Sequence, residues 1–200
     1  MQIRTAYMAL TALAVATTAR AQSASTVAPA DQQIAGAVLS APQDLRAGAS
    51  VLGYDARGTM VTLRKGAGAL VCLATDPKSK QFHTACYHKS LEPFMARGRA
   101  LRAEGVKGDQ VDTVRFREIK EKKLAMPAGP AVLFQVFGSR DSVDLVRGVV
   151  KGGTPLYVVY MPFATGESVG LSAKPVEGAP WVMFPGTPKA HIMFTPRMAP

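Results

Sequence analysis

The chain holds little that would staple it, span a membrane or stack on bases. It has two cysteines in 200 residues, Cys72 and Cys86, and no C-x-x-C pair, so neither a disulfide-dense scaffold nor a compact zinc knuckle is available. Its longest uncharged apolar run, residues 6–16 (AYMALTALAVA), falls short of the ~20 residues that a membrane-spanning helix needs. Aromatic residues make up 7% of the chain, with a single tryptophan, which leaves little for a nucleic-acid stacking platform. No twin arginine precedes the apolar run, no cysteine follows it to accept a lipid, and no internal repeat is present. With 48% apolar residues the composition also excludes wholesale disorder.

What is present begins with an address. Arg4 supplies a positive start, residues 6–16 an apolar stretch, and Ala19-Arg20-Ala21 the small residues that signal peptidase recognises. Residues 1–21 therefore read as a cleavable secretory signal peptide, residues 22–30 as a flexible lead-in, and residues 31–200 as one domain of a soluble, exported protein, periplasmic or secreted. The formal charge of +10 favours anionic partners, including the envelope surface and acidic small molecules. Its densest basic run, residues 97–123, is interleaved with Glu104, Asp109, Asp112, Glu118 and Glu121, so it reads as a solvated helix face and argues against nucleic acid as partner.

Hydrophobic periodicity divides the domain. Asp31 is placed to cap a short helix through Leu39, and residues 50–54, 59–64, 69–74 and 82–88 are apolar or alternating runs separated by Gly-, Asp- and Pro-bearing turns. Links this short predict antiparallel neighbours, hence an N-terminal meander. Two helices follow, the first from a Ser90 cap to Gly105, the second opened by Asp109 and ended by Pro127, with Val111, Val114 and Ile119 as its apolar stripe. Strand character returns at 131–137, 156–161, 181–184 and 191–194, and residues 141–148 read as a short helix. The expected class is α+β, a mainly antiparallel sheet with two or three helices on one side.

If 69–74 and 82–88 form a hairpin about the intervening turn, Cys72 and Cys86 stand opposite each other on one face, and an exported protein would bond them. The same geometry puts His88 beside them, giving three ligands of a possible metal site with His83 or His191 as the fourth, and Met193 next to His191 adds a copper reading. No compact ligand spacing supports the metal, and no motif calls for a cofactor.

Residues 166–170 (GESVG) match G-x-S-x-G, and Glu177 and His191 follow Ser168 in the chain order of an elbow hydrolase. Lys174-Pro175 leaves little room for the helix that an elbow requires, so a surface loop is the plainer account. Near the C-terminus, Gly186-Thr187-Pro188 reads as a tight turn between strands; a pocket lined by His88, Trp181, Thr187 and His191 is the sharper alternative.

The stretches 53–58 (GYDARG), 63–64 (LR), Cys72-Leu73, Cys86-Tyr87-His88, 180–183 (PWVM) and 186–193 (GTPKAHIM) together resemble a set of exported, functionally uncharacterised bacterial proteins. The resemblance implies export and a single domain and carries no catalytic residue. The expectation is a non-enzymatic binding or envelope-associated protein with a basic surface and a small or anionic ligand. A small serine hydrolase using Ser168, Glu177 and His191 and a metal-binding protein using Cys72, Cys86 and His88 stand as alternatives.

Overall fold

The computed structural model describes residues 27–176 and 178–195. The leader, part of the lead-in and Glu177 lie outside these described residues. The N-terminal helix α1 (Ala30–Ala37) starts two residues earlier than expected, with Pro29 and not Asp31 at its cap, and runs into a tight helical turn at Val38–Ser40. A short helix α2 (Gln43–Arg46) then leads into the strands β1 (Ser50–Tyr54), β2 (Met60–Arg64), β3 (Leu70–Leu73) and β4 (Gln81–His88). After β4 come the helices α3 (Glu92–Ala103) and α4 (Gln110–Lys120), then β5 (Ala131–Ser139). The remainder is β6 (Val143–Asp144), β7 (Val149–Val150), β8 (Thr154–Tyr160), a one-turn helix α5 (Gly166–Val169), β9 (Trp181–Met183) and β10 (His191–Phe194).

Eight strands form one mixed, mostly antiparallel sheet in the order β2-β1-β3-β4-β5-β8-β10-β9, and β6 with β7 makes a separate hairpin. The chain is a single-domain α+β protein. The meander is corrected at one join: β1/β2 and β3/β4 are antiparallel pairs, but β3 does not pair with β2 and lies parallel to β1 on its other side. Glycine makes this crossing possible. The link from β2 passes so close over the entry to β1 that a Cβ on Gly66 would stand 2.2 Å from the Gly48 carbonyl oxygen.

A second correction concerns the helices, which cover both faces of the sheet. One face buries Val51, Leu70, Cys72 and Cys86 under Ala37, Val38 and Ala41 from α1 and the turns after it. The buried Thr84 hydroxyl donates to the Ala37 carbonyl and ties that layer down. The opposite face buries Val71, Ala85, Tyr87, Leu133, Val158 and Tyr160 under Leu91 and Phe94, with Phe116 and Ile119 of α4 packed alongside. Central strands apolar on both sides, such as Leu70-Val71-Cys72-Leu73, are what two covering layers require.

Residues 141–148 are not one short helix: a single 3-10 turn at Arg140–Ser142 ends before Val143. From there they form the β6–β7 hairpin, because the Asp144 carboxylate accepts from the Arg147 N–H at 2.9 Å and Gly148 takes φ +68°, which closes a turn between β-branched arms. The helix α4 also stops short of Pro127, at Lys120, where Lys122 turns left-handed with φ +57°.

Candidate functional site

Cys72 faces Cys86 in the β3/β4 register and the two are joined in a disulfide. Bonded sulfurs are not thiolates, so the metal set Cys72, Cys86 and His88 loses two of its three ligands in this form. His88 does share their face, but its Nδ1 is engaged with the Ser90 hydroxyl at 2.8 Å. His83 points to the other face, where Nε2 meets Gln135 Oε1 at 2.8 Å and the ring stacks on Phe137 at 4.2 Å. Among the described residues, no group of three or more His, Cys, Asp or Glu side chains is placed to hold a metal ion. No helix among them is long and apolar enough to cross a membrane.

Ser168 is the third residue of α5, and its hydroxyl works as half of a capping box. Ser168 Oγ donates to the Thr165 carbonyl at 3.0 Å and accepts from the Thr165 N–H at 2.9 Å, while the Ser168 N–H donates to Thr165 Oγ1 at 3.1 Å. It therefore sits inside a helical turn and not at a strand-to-helix elbow. Ser168 lines an open depression of about 370 Å³ whose walls, residues 128–130 and 161–164, hold no histidine. His191 binds elsewhere, with Nδ1 against the Lys189 carbonyl oxygen at 2.7 Å and its ring 5.0 Å from that of Tyr160. Serine and histidine share no hydrogen bond.

The four-residue pocket is also divided. Thr187 closes the β9–β10 turn, its hydroxyl donating to the Phe184 carbonyl at 2.8 Å, and Trp181 pairs with Met193 across β9/β10. His88 lies on the disulfide face of β4, whereas His191 pairs with Tyr160 on the opposite face of β10, and β5 and β8 run between them.

Around His191 the fold builds a polar cluster that the sequence did not announce. Asp112 receives Lys189 Nζ at 2.7 Å and an ion pair from Arg115. The Arg115 side chain is only 5% exposed, with its guanidinium carbon 3.7 Å above the Phe94 ring and Nη1 donating to the Phe94 carbonyl at 3.1 Å. Far from a solvated helix face, Arg115 occupies the buried stripe with Val111, one turn apart. Lys189 covers the Phe184 ring at 4.3 Å. Burial pushes the Asp112 carboxyl up, but the hydrogen bonds and charges of Lys189 and Arg115 outweigh it and hold the group below its usual range. Burial raises the Tyr160 phenol to about 12. These ion-paired groups join α4 to the turn before β10, with Arg115 Nε left without a hydrogen-bond partner among the described residues.

His191 is held neutral: burial lowers its pKa, the Lys189 carbonyl opposes this, and the Lys189 ammonium adds to it. The unfolded imidazole takes up a proton below about pH 6.5, whereas the folded one resists until lower pH, so unfolding gains protons and stability falls as pH drops through that window. Melting temperatures measured from pH 8 to pH 5 should decline below about pH 6.5 and flatten in His191→Gln. An unchanged slope in that variant would assign the decline to another group.

The surface that geometry does leave available is aromatic. The register aligns Cys72, Cys86, Phe134, Tyr157 and Phe194 as one transverse row across five strands, with Val132, Val159 and Ile192 in the row beside it. The layer of α1 covers the cysteine end of that row. Beyond it, Val132, Phe134, Tyr157, Val159 and Phe194 line a groove of about 410 Å³, walled by Gly178, Ala179 and Pro180. Phe134 and Tyr157 meet edge to face at 5.8 Å, and Tyr157 remains 39% exposed. A concave, mainly apolar patch of this size suits a small ligand. No family model matches the chain, and neither the curated proteins nor the solved structures compared with it contain a match.

Proposed function

We propose that this chain is an exported, non-enzymatic binding protein of the cell envelope that receives a small apolar molecule in the Phe134–Tyr157–Phe194 groove. The observation that carries the reading is the aromatic row left open where the α1 layer ends. Exposed apolar patches of this kind are retained on folded domains chiefly for contact with something else. The Cys72–Cys86 bond and the signal-like leader support export. The basic surface, with a formal charge of +8 once Arg4 and Arg20 leave with the leader (22 basic against 14 acidic side chains), would hold the protein near anionic envelope components.

The test uses the fluorescent apolar probe N-phenyl-1-naphthylamine. Wild-type protein should enhance and blue-shift its emission, and Tyr157→Glu should weaken binding about tenfold or more, since a charge then occupies the groove floor. Because Tyr157 is 39% exposed, the variant should stay folded with a modest loss of stability from its Phe134 contact, which its melting temperature checks. Absence of probe binding, or equal binding by Tyr157→Glu, would sink the reading. No catalytic part is given to Ser168, so p-nitrophenyl butyrate should be hydrolysed no faster with wild type than with Ser168→Ala.

A further inference from the structure

The β6–β7 hairpin stands apart from the main sheet, turns Leu145 back toward Gly36 of α1 and carries Val146 and Val149 outward. Val146, at the tip, is 99% exposed, and Val149 and Leu145 are 45% and 38% exposed. Single exposed apolar residues need no explanation, but two on one narrow hairpin tip, one of them almost wholly exposed, form a patch. The tip is also held in shape. Asp144 caps the turn through the Arg147 N–H, Arg46 Nη1 donates to the Gly148 carbonyl at 3.0 Å, and the Lys151 N–H closes the base on the Ser142 carbonyl at 2.8 Å. A wandering loop could fold its valine inward; this one holds it out.

Cations ring the patch. Arg147 and Lys151 are 73% and 63% exposed, and both reach loosely toward the single Asp144 carboxylate, at 3.8 and 3.7 Å. Arg46 and Arg140 stand at the base, where they bind backbone carbonyls, that of Asp76 among them, and where Asp44, Asp76 and Asp141 supply negative charge. At the exposed end two cations share one acid, and the apolar tip projects from this net positive collar. A second copy of this basic chain is a poor fit to that collar, and so is a cationic or neutral partner. An anionic lipid surface fits both parts, since acyl chains accept the apolar residues at the depth where phosphates meet the arginine and lysine.

We infer that the β6–β7 hairpin is a membrane-docking tip, with Val146 and Val149 entering the acyl boundary of an anionic leaflet while Arg147 and Lys151 engage its phosphates. This is a peripheral, reversible contact, weak for one tip and strengthened by net charge. It is independent of the groove.

The full mature chain is tested by co-sedimentation with phosphatidylcholine vesicles, with and without phosphatidylglycerol. Binding should appear only with phosphatidylglycerol and weaken as salt rises. The double variant Val146→Asp with Val149→Asp should lose binding about tenfold or more, with its melting temperature little changed because Val146 is almost wholly exposed and Val149 about half. Arg147→Gln with Lys151→Gln should weaken binding and flatten its salt dependence, and Tyr157→Glu should bind as wild type. No binding by wild type would overturn the inference. Equal binding by the aspartate variant would do the same, because general surface charge would then suffice. A dimer in sedimentation velocity that the aspartate variant dissociates would assign the tip to a second copy instead.

Discussion

Replacing Cys72 and Cys86 together by alanine should lower the unfolding free energy by about 3 kcal/mol. The bond closes a loop with a sequence separation of 14, and in the chain-entropy account a loop of that size restricts the unfolded ensemble by roughly this amount. Both cysteines are fully buried, so the alanine pair also leaves unfilled space against Ala37, Val51 and Leu70, which adds to the loss. Urea melts of oxidised wild type, reduced wild type and the double variant separate the two contributions. Reduction alone should reproduce most of the loss, because the sulfurs then still fill the core. If reduced and oxidised protein unfold at the same urea concentration, the bond contributes no net stability.

The second large effect is expected at Asp112. Asp112→Ala removes the carboxylate that faces Arg115, whose side chain is 5% exposed and whose Nε has no hydrogen-bond partner among the described residues. A buried guanidinium stripped of its counter-charge costs about 3 kcal/mol, the lower end of what broken buried pairs show, since Asp112 itself is 21% exposed. Adding Arg115→Met should restore part of the loss, as a flexible apolar side chain over Phe94 needs no partner. Lys189→Met alone should cost far less, because Lys189 reaches solvent and Asp112 keeps Arg115. Chemical denaturation of the singles and the double closes the cycle. A double variant no more stable than Asp112→Ala would show that Arg115 stabilises by packing and not through its pair.

Much of this architecture is readable from residue order, but unevenly. The cysteine register followed from two alternating runs around a short turn, because a strand's side-chain period of two leaves one pairing that puts both sulfurs on one face. The parallel contact of β1 with β3 did not follow. It depends on whether backbone can pass over Gly48, which Gly66 permits and which no alternation pattern records. The hairpin at 143–150 was missed because Asp144 and Gly148 suit a helix start and stop as well as a turn. Apolar residues on both sides of β3 and β4 do signal helices on two faces.

At the site level, histidine and serine drew attention because they carry chemistry. The fold spends Ser168 on a cap and His191 on packing. Arg115 reads as surface because it is charged, although the spacing of Val111, Arg115 and Ile119 places it on the inward stripe. The groove was invisible for a different reason: Phe134, Tyr157 and Phe194 belong to strands that are neighbours only in space, and chain order does not disclose which strands adjoin.

The Cys72–Cys86 bond lies at the seam between the crossed-over unit β2-β1-β3 and the long antiparallel run that starts with β4. A covalent weld at that seam means the two portions of the sheet cannot unzip from one another while the protein stays oxidised. Fraying is thereby left to the outer margins, β2 on one side and β9 on the other, and a reducing milieu would convert one mechanical body into two that can part.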